Sequence, residues 1–205
     1  MAGVAVLDYG MGNLRSVEKA LARVGADPVV TSDHAAIREA DAIVLPGVGA
    51  FPKAMTAIGA LGLDKILVER REARVPILGI CLGMQLLFES STELGGARGL
   101  GLLPGPVERL GSEGLKLPQI GWNAVGWSNG SPLSAGLPDP AAFYHVHSYA
   151  PRPGRDEDVI GTAEYGAAFA SAVGHDRVFG VQFHPEKSGP DGLRLLENFV
   201  GLAGT

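Results

Sequence analysis

The chain has 205 residues, 46% of them hydrophobic and 19% charged, which excludes a disordered polymer and leaves enough apolar mass to bury a core without staples. Thirty glycines and fourteen prolines show no G-X-Y period, so a fibre is excluded and a turn-rich globular fold remains. A net charge of −5 without any Lys/Arg block argues against a nucleic-acid groove or an anionic membrane surface.

The single cysteine, Cys81, allows neither an internal disulfide nor a Cys-based zinc site, and no other metal or cofactor motif stands out. A reducing cytoplasm fits that usage. Met1 to Asp8 has no basic stretch before its apolar residues and reads as a strand rather than a signal peptide. No apolar run approaches the roughly 20 residues of a spanning helix, so a soluble protein is expected.

Val4 to Leu7 is a short apolar run that stops at Gly10-Met11-Gly12. Leu14, Val17, Leu21 and Val24 then recur at helical spacing, with Gly25 as the stop. Val29-Val30 reads as a strand and residues 35–40 as weakly helical. Ala42 to Leu45 is a fully apolar strand ended by Pro46-Gly47, and residues 51–72 read as two helical pieces parted near Gly59 to Gly62. Val75 to Ile80 is another apolar strand. Fully apolar strands alternating with helices predict an α/β fold whose mostly parallel central sheet is flanked by helices. Between Gly101 and Gly166, short runs are divided by turn signals such as Pro104-Gly105, Asn129-Gly130 and Pro138-Asp139-Pro140. These predict antiparallel strands added in the second half. Val178 to Phe183 is one more strand, and Leu193, Leu196, Phe199 and Val200 mark a terminal amphipathic helix. With no repeat, linker or low-complexity tract, residues 1–205 read as one domain.

Gly79-Ile80-Cys81-Leu82-Gly83 lies where a buried strand passes into a helical run. Glycines two before and two after a nucleophile mark a turn so tight that side chains there would collide. Such an elbow sets the sulfur at a helix start, whose free N–H groups favour a thiolate. The plainer reading is a lone cysteine packed in an apolar strand. In Phe183-His184-Pro185-Glu186, residues 184 and 186 point the same way from an extended stretch, so Glu186 can orient the imidazole that serves the thiol. Alone, that tetrapeptide fits a capping histidine equally well. Donors for an oxyanion are offered by the N–H of Leu82 and by the turn Pro46-Gly47-Val48-Gly49, which could also be an ordinary strand end. Gly10-Met11-Gly12, with Asp33 further on, imitates a dinucleotide fingerprint, but Arg15 stands where its third glycine is needed.

The Cys elbow, Pro46-Gly47-Val48-Gly49-Ala50-Phe51 and His184-Pro185-Glu186-Lys187-Ser188 together resemble the class I, triad-type glutamine amidotransferases, which have a flavodoxin-like fold. With Tyr9-Gly10-Met11-Gly12-Asn13, Gly121-Trp122-Asn123 and His147-Ser148-Tyr149 in order, the chain resembles the glutaminase subunits of imidazole glycerol phosphate synthase. Gln119, where that family often has His, and His145, where it usually has an apolar residue, are the departures. The resemblance implies that Cys81 attacks the side-chain amide of L-glutamine, with His184 as proton shuttle and Glu186 as its orienter. It implies Val48 and Leu82 as oxyanion donors, and Gly49, Gln85, Ser148 and Tyr149 as glutamine contacts. Ammonia would pass to a TIM-barrel cyclase partner that docks on Met11, Asn13, Trp122, Tyr144 and Lys187. The donor in the 46–49 turn would swing into place only when the partner's substrate binds. Other readings are a glutaminase serving anthranilate, guanylate or purine synthesis, a stress-type hydrolase, which would often carry His directly after the Cys where Leu82 stands, and a non-enzymatic nucleotide-binding module.

Overall fold

A strand that is apolar on both faces must be covered on both, and helices supply the cover. The structure, a computed structural model, describes residues 1–128 and 130–203. Its first part runs β1 (Gly3–Leu7), α1 (Leu14–Arg23), β2 (Asp27–Thr31), α2 (His34–Glu39), β3 (Ala42–Gly47), α3 (Phe51–Ala60), α4 (Leu63–Glu72), β4 (Ile77–Cys81) and α5 (Leu82–Leu86). Alternate side chains of one strand enter opposite cores. Val4 and Val6 of β1 pack with Val17 and Leu21 of α1, whereas Ala5 and Leu7 join Ile58, Ile66 and Leu67 of α3 and α4. Gly62, at φ +66°, makes the break between those two helices.

The second part contains β5 (Ser90–Ser91), β6 (Ala97–Arg98), β7 (Pro106–Arg109), β8 (Gln119–Trp127), β9 (Ala141–His147), β10 (Tyr149–Pro151), β11 (Val159–Tyr165), β12 (Ala167–His175), β13 (Val178–Val181) and α6 (Gly189–Val200). The main sheet has the order β2-β1-β3-β4-β13-β12-β11-β8-β9. It is parallel from β2 to β13 and antiparallel beyond. This is the expected α/β plan with antiparallel additions.

Two features depart from the sequence reading. A separate small sheet, β10-β7-β5-β6, includes strands of two residues, too short to show any alternation. The helical run after Cys81 also closes early, at Leu86. There the returning chain takes over the open carbonyls, with Leu100 N–H donating to Leu86 O (2.9 Å) and Leu102 N–H to Leu87 O (2.8 Å). Of the anticipated Asn129-Gly130 turn, Asn129 lies outside the described residues.

The antiparallel half does not extend flat. Although β9 is the far edge of the sheet, His184 N–H donates to Tyr144 O (2.9 Å) and Tyr144 N–H donates to Ser188 Oγ (3.0 Å). The rings of Phe143 and Phe183 stack at 4.0 Å. The sheet therefore rolls until β9 overhangs the carboxyl ends of the parallel strands, where α/β sites form. Among the described residues no helix is long and apolar enough to cross a membrane.

Candidate active site

Cys81 is the last residue of β4, beside Gly47 of β3 in the ladder. Its backbone sits at φ +56°, ψ −111°, a strained position for a residue with a Cβ. Only the glycines on either side make it possible. A Cβ on Gly79 would lie 2.6 Å from Gly83 O and Met84 N, and one on Gly83 would overlap the carbonyl of Leu45. Behind the turn, the buried Tyr9 hydroxyl donates to Pro46 O (2.6 Å). Burial, and then the charge of Cys81, push that phenol above its ordinary pKa.

His184 and Glu186 follow β13, the parallel neighbour of β4. Extended backbone at His184 (φ −106°, ψ 93°) brings its Nδ1 to 2.9 Å from Glu186 Oε1. Both side chains are almost fully buried, and the carboxylate fixes the proton on Nδ1. Nε2 is left buried with no hydrogen bond of good geometry. Burial is the largest single influence on this imidazole and lowers its pKa. Hydrogen bonding and charge from Cys81 and Glu186 together outweigh it and raise the pKa to about 9. An imidazolium beside the sulfur is the outcome, which suits a thiol that must ionise and attack.

Thiol and imidazole open on a cavity of about 350 Å³. Val48, Gly49, Leu82, Gln85, Ser148 and Tyr149, all singled out from the sequence, line it with Cys81 and His184. Glu186 stands behind His184, outside this cavity. The residues expected to dock a partner also stand outside the cavity lining, near His184 and Gly49. Trp122, 59% exposed, meets Tyr144 edge-on at 6.3 Å between ring centroids, and Lys187 Nζ lies 5.9 Å over the Tyr144 ring. Met11 reaches Gly49, and Asn13 borders a small hollow beside Glu186. The glycine turn after β1 thus packs on the 46–49 turn, while Asp33 caps α2 by accepting from Ala36 N–H (2.9 Å). Neither is arranged as a dinucleotide cradle.

Three residues were not assigned a role from the sequence. Among the described residues, Glu93 is the one carboxylate lining the cavity, and its Oε2 accepts from Phe51 N–H (2.7 Å) at the start of α3. His147, also on the wall, donates from Nδ1 to Tyr149 O (2.9 Å) and leaves Nε2 buried without a partner. Gln182 is fully buried with its Nε2 3.8 Å from Cys81 Sγ. A buried amide or imidazole must find partners, which is the signal a polar residue inside an apolar strand carries. Among the described residues, no group of three or more His, Cys, Asp or Glu could hold a metal ion. A thiol, a buried imidazole backed by a carboxylate, and a small adjoining cavity can together carry out acyl transfer through a covalent thioester.

Comparisons with known proteins give the family and the fold. The family model for glutamine amidotransferase class-I matches residues 5–202. Among curated proteins, the chain is 50% identical to the imidazole glycerol phosphate synthase subunit HisH of Bacillus cereus, over 97% of this chain and 94% of that protein. It is also 50% identical to the subunit of the same name from Moorella thermoacetica, over 98% and 96%, and 49% identical to that of Pseudomonas putida, over 100% and 99%. Among solved structures, a glutamine amidotransferase superposes with a TM-score of 0.78 at 20% identity, covering 98% of this chain and 99% of that one. PurLQS from Thermotoga maritima does so with a TM-score of 0.77 at 20% identity and the same coverage.

Proposed function

The chain belongs to the class-I glutamine amidotransferases, and from that premise we propose that it is the glutaminase subunit of an imidazole glycerol phosphate synthase in L-histidine biosynthesis. Identity near 50% over almost the whole length of such subunits carries this choice over a glutaminase serving another pathway. Residues 1–205 act as one amidotransferase domain and require no cofactor.

The chemistry runs through Cys81. Its sulfur adds to the δ-carbon of L-glutamine, and the oxyanion is met by the N–H groups of Val48 and Leu82. His184 passes its Nε2 proton to the departing nitrogen, ammonia leaves, and a γ-glutamyl thioester remains. His184 then takes a proton from water, whose oxygen attacks the thioester. Glutamate departs and the thiolate is restored. Glu186 keeps the imidazole in one tautomer and orientation throughout. Gly49, Gln85, Ser148 and Tyr149 hold the substrate, and the free oxygen of Glu93 is the natural partner for its ammonium group.

Ammonia goes to a separate TIM-barrel cyclase docked over Met11, Asn13, Trp122, Tyr144 and Lys187. There it is built into imidazole glycerol phosphate, with release of an aminoimidazole carboxamide ribotide. Val48, Ile120 and Trp122 are exposed apolar side chains available to such a contact. The observation that carries the reading is the buried His184–Glu186 pair beside Cys81 on its strained turn.

The test reconstitutes the chain with its cyclase and replaces Cys81 by Ser. Glutamine-dependent product formation falls by roughly 10⁴-fold or more, as for loss of a nucleophile elsewhere, while turnover supported by ammonium salts persists. Glutamine-dependent turnover that survives Cys81→Ser refutes the nucleophile.

A further inference from the structure

The orientation of two buried amides can be worked out from one backbone carbonyl. Tyr149 O is an acceptor only, and the Gln85 amide meets it at 2.9 Å. Gln85 must therefore present nitrogen at that point. The same Nε2 lies 3.1 Å from the side chain of Gln182, so the facing atom of Gln182 is its oxygen. Its nitrogen is thereby turned toward Cys81 Sγ, at 3.8 Å. Besides the His184 imidazole, the sulfur also meets Val146 O, at 3.8 Å. A thiol can donate to that carbonyl, but on ionisation the contact becomes one of lone pair against negative charge. The amide of Gln182 is favourable in both states and more so in the charged one.

We propose that Gln182, held in a single orientation by Gln85, is the hydrogen-bond donor that stabilises the Cys81 sulfur as an anion before acylation and again when the thioester breaks. Gln85 is then a positioning residue for the nucleophile as well as a wall of the substrate cavity. The inference rests on Cys81 being the nucleophile, as proposed above. Gln182 is fully buried on the strand side of the elbow and outside the lining of the cavity, so its effect reaches glutamine through the sulfur.

The experiment measures alkylation of Cys81 by iodoacetamide across pH, with no glutamine present, in the full chain and its variants. Gln182→Leu displaces the alkylation curve toward higher pH and slows the reaction about tenfold on its rising limb, the effect of losing one hydrogen bond to a charged group. Gln85→Leu moves the curve the same way, about threefold, although Gln85 does not touch the sulfur. Gln182→Glu, which sets a carboxylate against the sulfur, moves it furthest. The other titratable groups around the thiol, among the described residues, are His184 with Glu186 behind it, His147, Glu93 and Tyr149 on the cavity wall, and Tyr9 beneath the turn. All are retained in these variants. A Gln182→Leu protein with the parent's melting curve and the parent's alkylation profile overturns the proposal. Should that variant not fold, an unshifted profile in Gln85→Leu overturns it equally. Glutamine turnover that persists in Cys81→Ser defeats instead the reading beneath it, so the two failures are told apart.

Discussion

Cys81 Sγ and Val146 O face each other at 3.8 Å, yet the chain brings these two atoms together by different means. Cys81 ends a central strand whose residues pair with β3 on one side and β13 on the other, with apolar cores above and below. Val146 lies on an edge strand whose ladder is with β8 alone. That edge is held over the site by one buried face, with Phe143 stacked on Phe183, and by a few polar ties, His184 N–H to Tyr144 O and Tyr144 N–H to Ser188 Oγ among them. The nucleophile is thus located by packing on both faces of its strand, and the wall opposite it by packing on one face together with a few discrete hydrogen bonds. Close packing resists small displacements steeply, whereas a tie of one or two hydrogen bonds opens at modest cost.

The largest expected effect belongs to the packed side. In Gly83→Ala the new methyl overlaps the Leu45 carbonyl in the neighbouring strand, an atom that cannot rotate away. Either β3 or the elbow must move, and the expected loss is about 3 kcal/mol or more in urea unfolding. Cys81 alkylation is altered as well, because the turn is displaced. A variant with parent-like stability and alkylation breaks the contrast at its source, since the parallel half is then as forgiving as the rolled one.

Next in size is the dependence of stability on pH, which sharpens the contrast because, among the described residues, the buried histidines are His145, His147 and His184. Two lie on β9 and the third is tied to it. Burial, reinforced by the charge of His147 and then that of His184 and opposed by a backbone bond to Phe143, lowers the pKa of His145 to about 3. Burial, opposed by the bond to Tyr149 O, lowers that of His147 to about 4. The unfolded chain binds protons at these positions from about pH 6.5 downward while the folded one does not, so stability falls as the solution is acidified. His184 has the opposite sign. Its folded pKa of about 9 lies above the unfolded value, so its contribution is complete below about pH 6.5 and is lost as pH rises toward 9. The alkaline loss amounts to roughly 3 kcal/mol at most. Stability measured by denaturant at fixed temperature should therefore peak near pH 6.5. His145→Gln flattens the acid limb and Glu186→Gln the alkaline one. A profile level from pH 6.5 to 9 refutes the imidazolium assigned to His184.

The same division decided what could be read in the sequence. The parallel half was legible because β1, β3 and β4 are short apolar runs with glycine-marked ends, and because Gly79 and Gly83 announce the elbow locally. His184 and Glu186 were legible because their geometry depends on three consecutive residues. The wall from His147 to Tyr149 was named only through a motif resemblance, since its position depends on the roll of an antiparallel sheet and on pairing across many residues; Val146 was not singled out. Glu93 had no local sign at all: it enters the cavity from a 3₁₀ turn between two strands of two residues. Gln182 did carry a sign, an amide set between Val181 and Phe183 at the end of an apolar run, and its meaning emerged only with its neighbours in place.

The smallest effect lies in the tie itself. Ser188 Oγ donates to His184 O (2.6 Å) and accepts from Tyr144 N–H (3.0 Å), with the side chain nearly out of reach of solvent. Ser188→Ala removes both bonds without adding bulk, leaving the partly buried Tyr144 N–H without that acceptor and His184 O with Lys187 N–H alone. About 1–2 kcal/mol of stability should be lost. If the two halves are held as differently as their contacts indicate, that loss is local. Amide exchange should quicken on β9 around Tyr144 while the amides of β4 keep the parent's protection. Glutamine KM should rise severalfold as the wall at 146–149 loosens. Equal acceleration on β4 would mean instead that the roll and the parallel sheet open as one unit, and that the polar ties bear on the nucleophile as much as its own packing does.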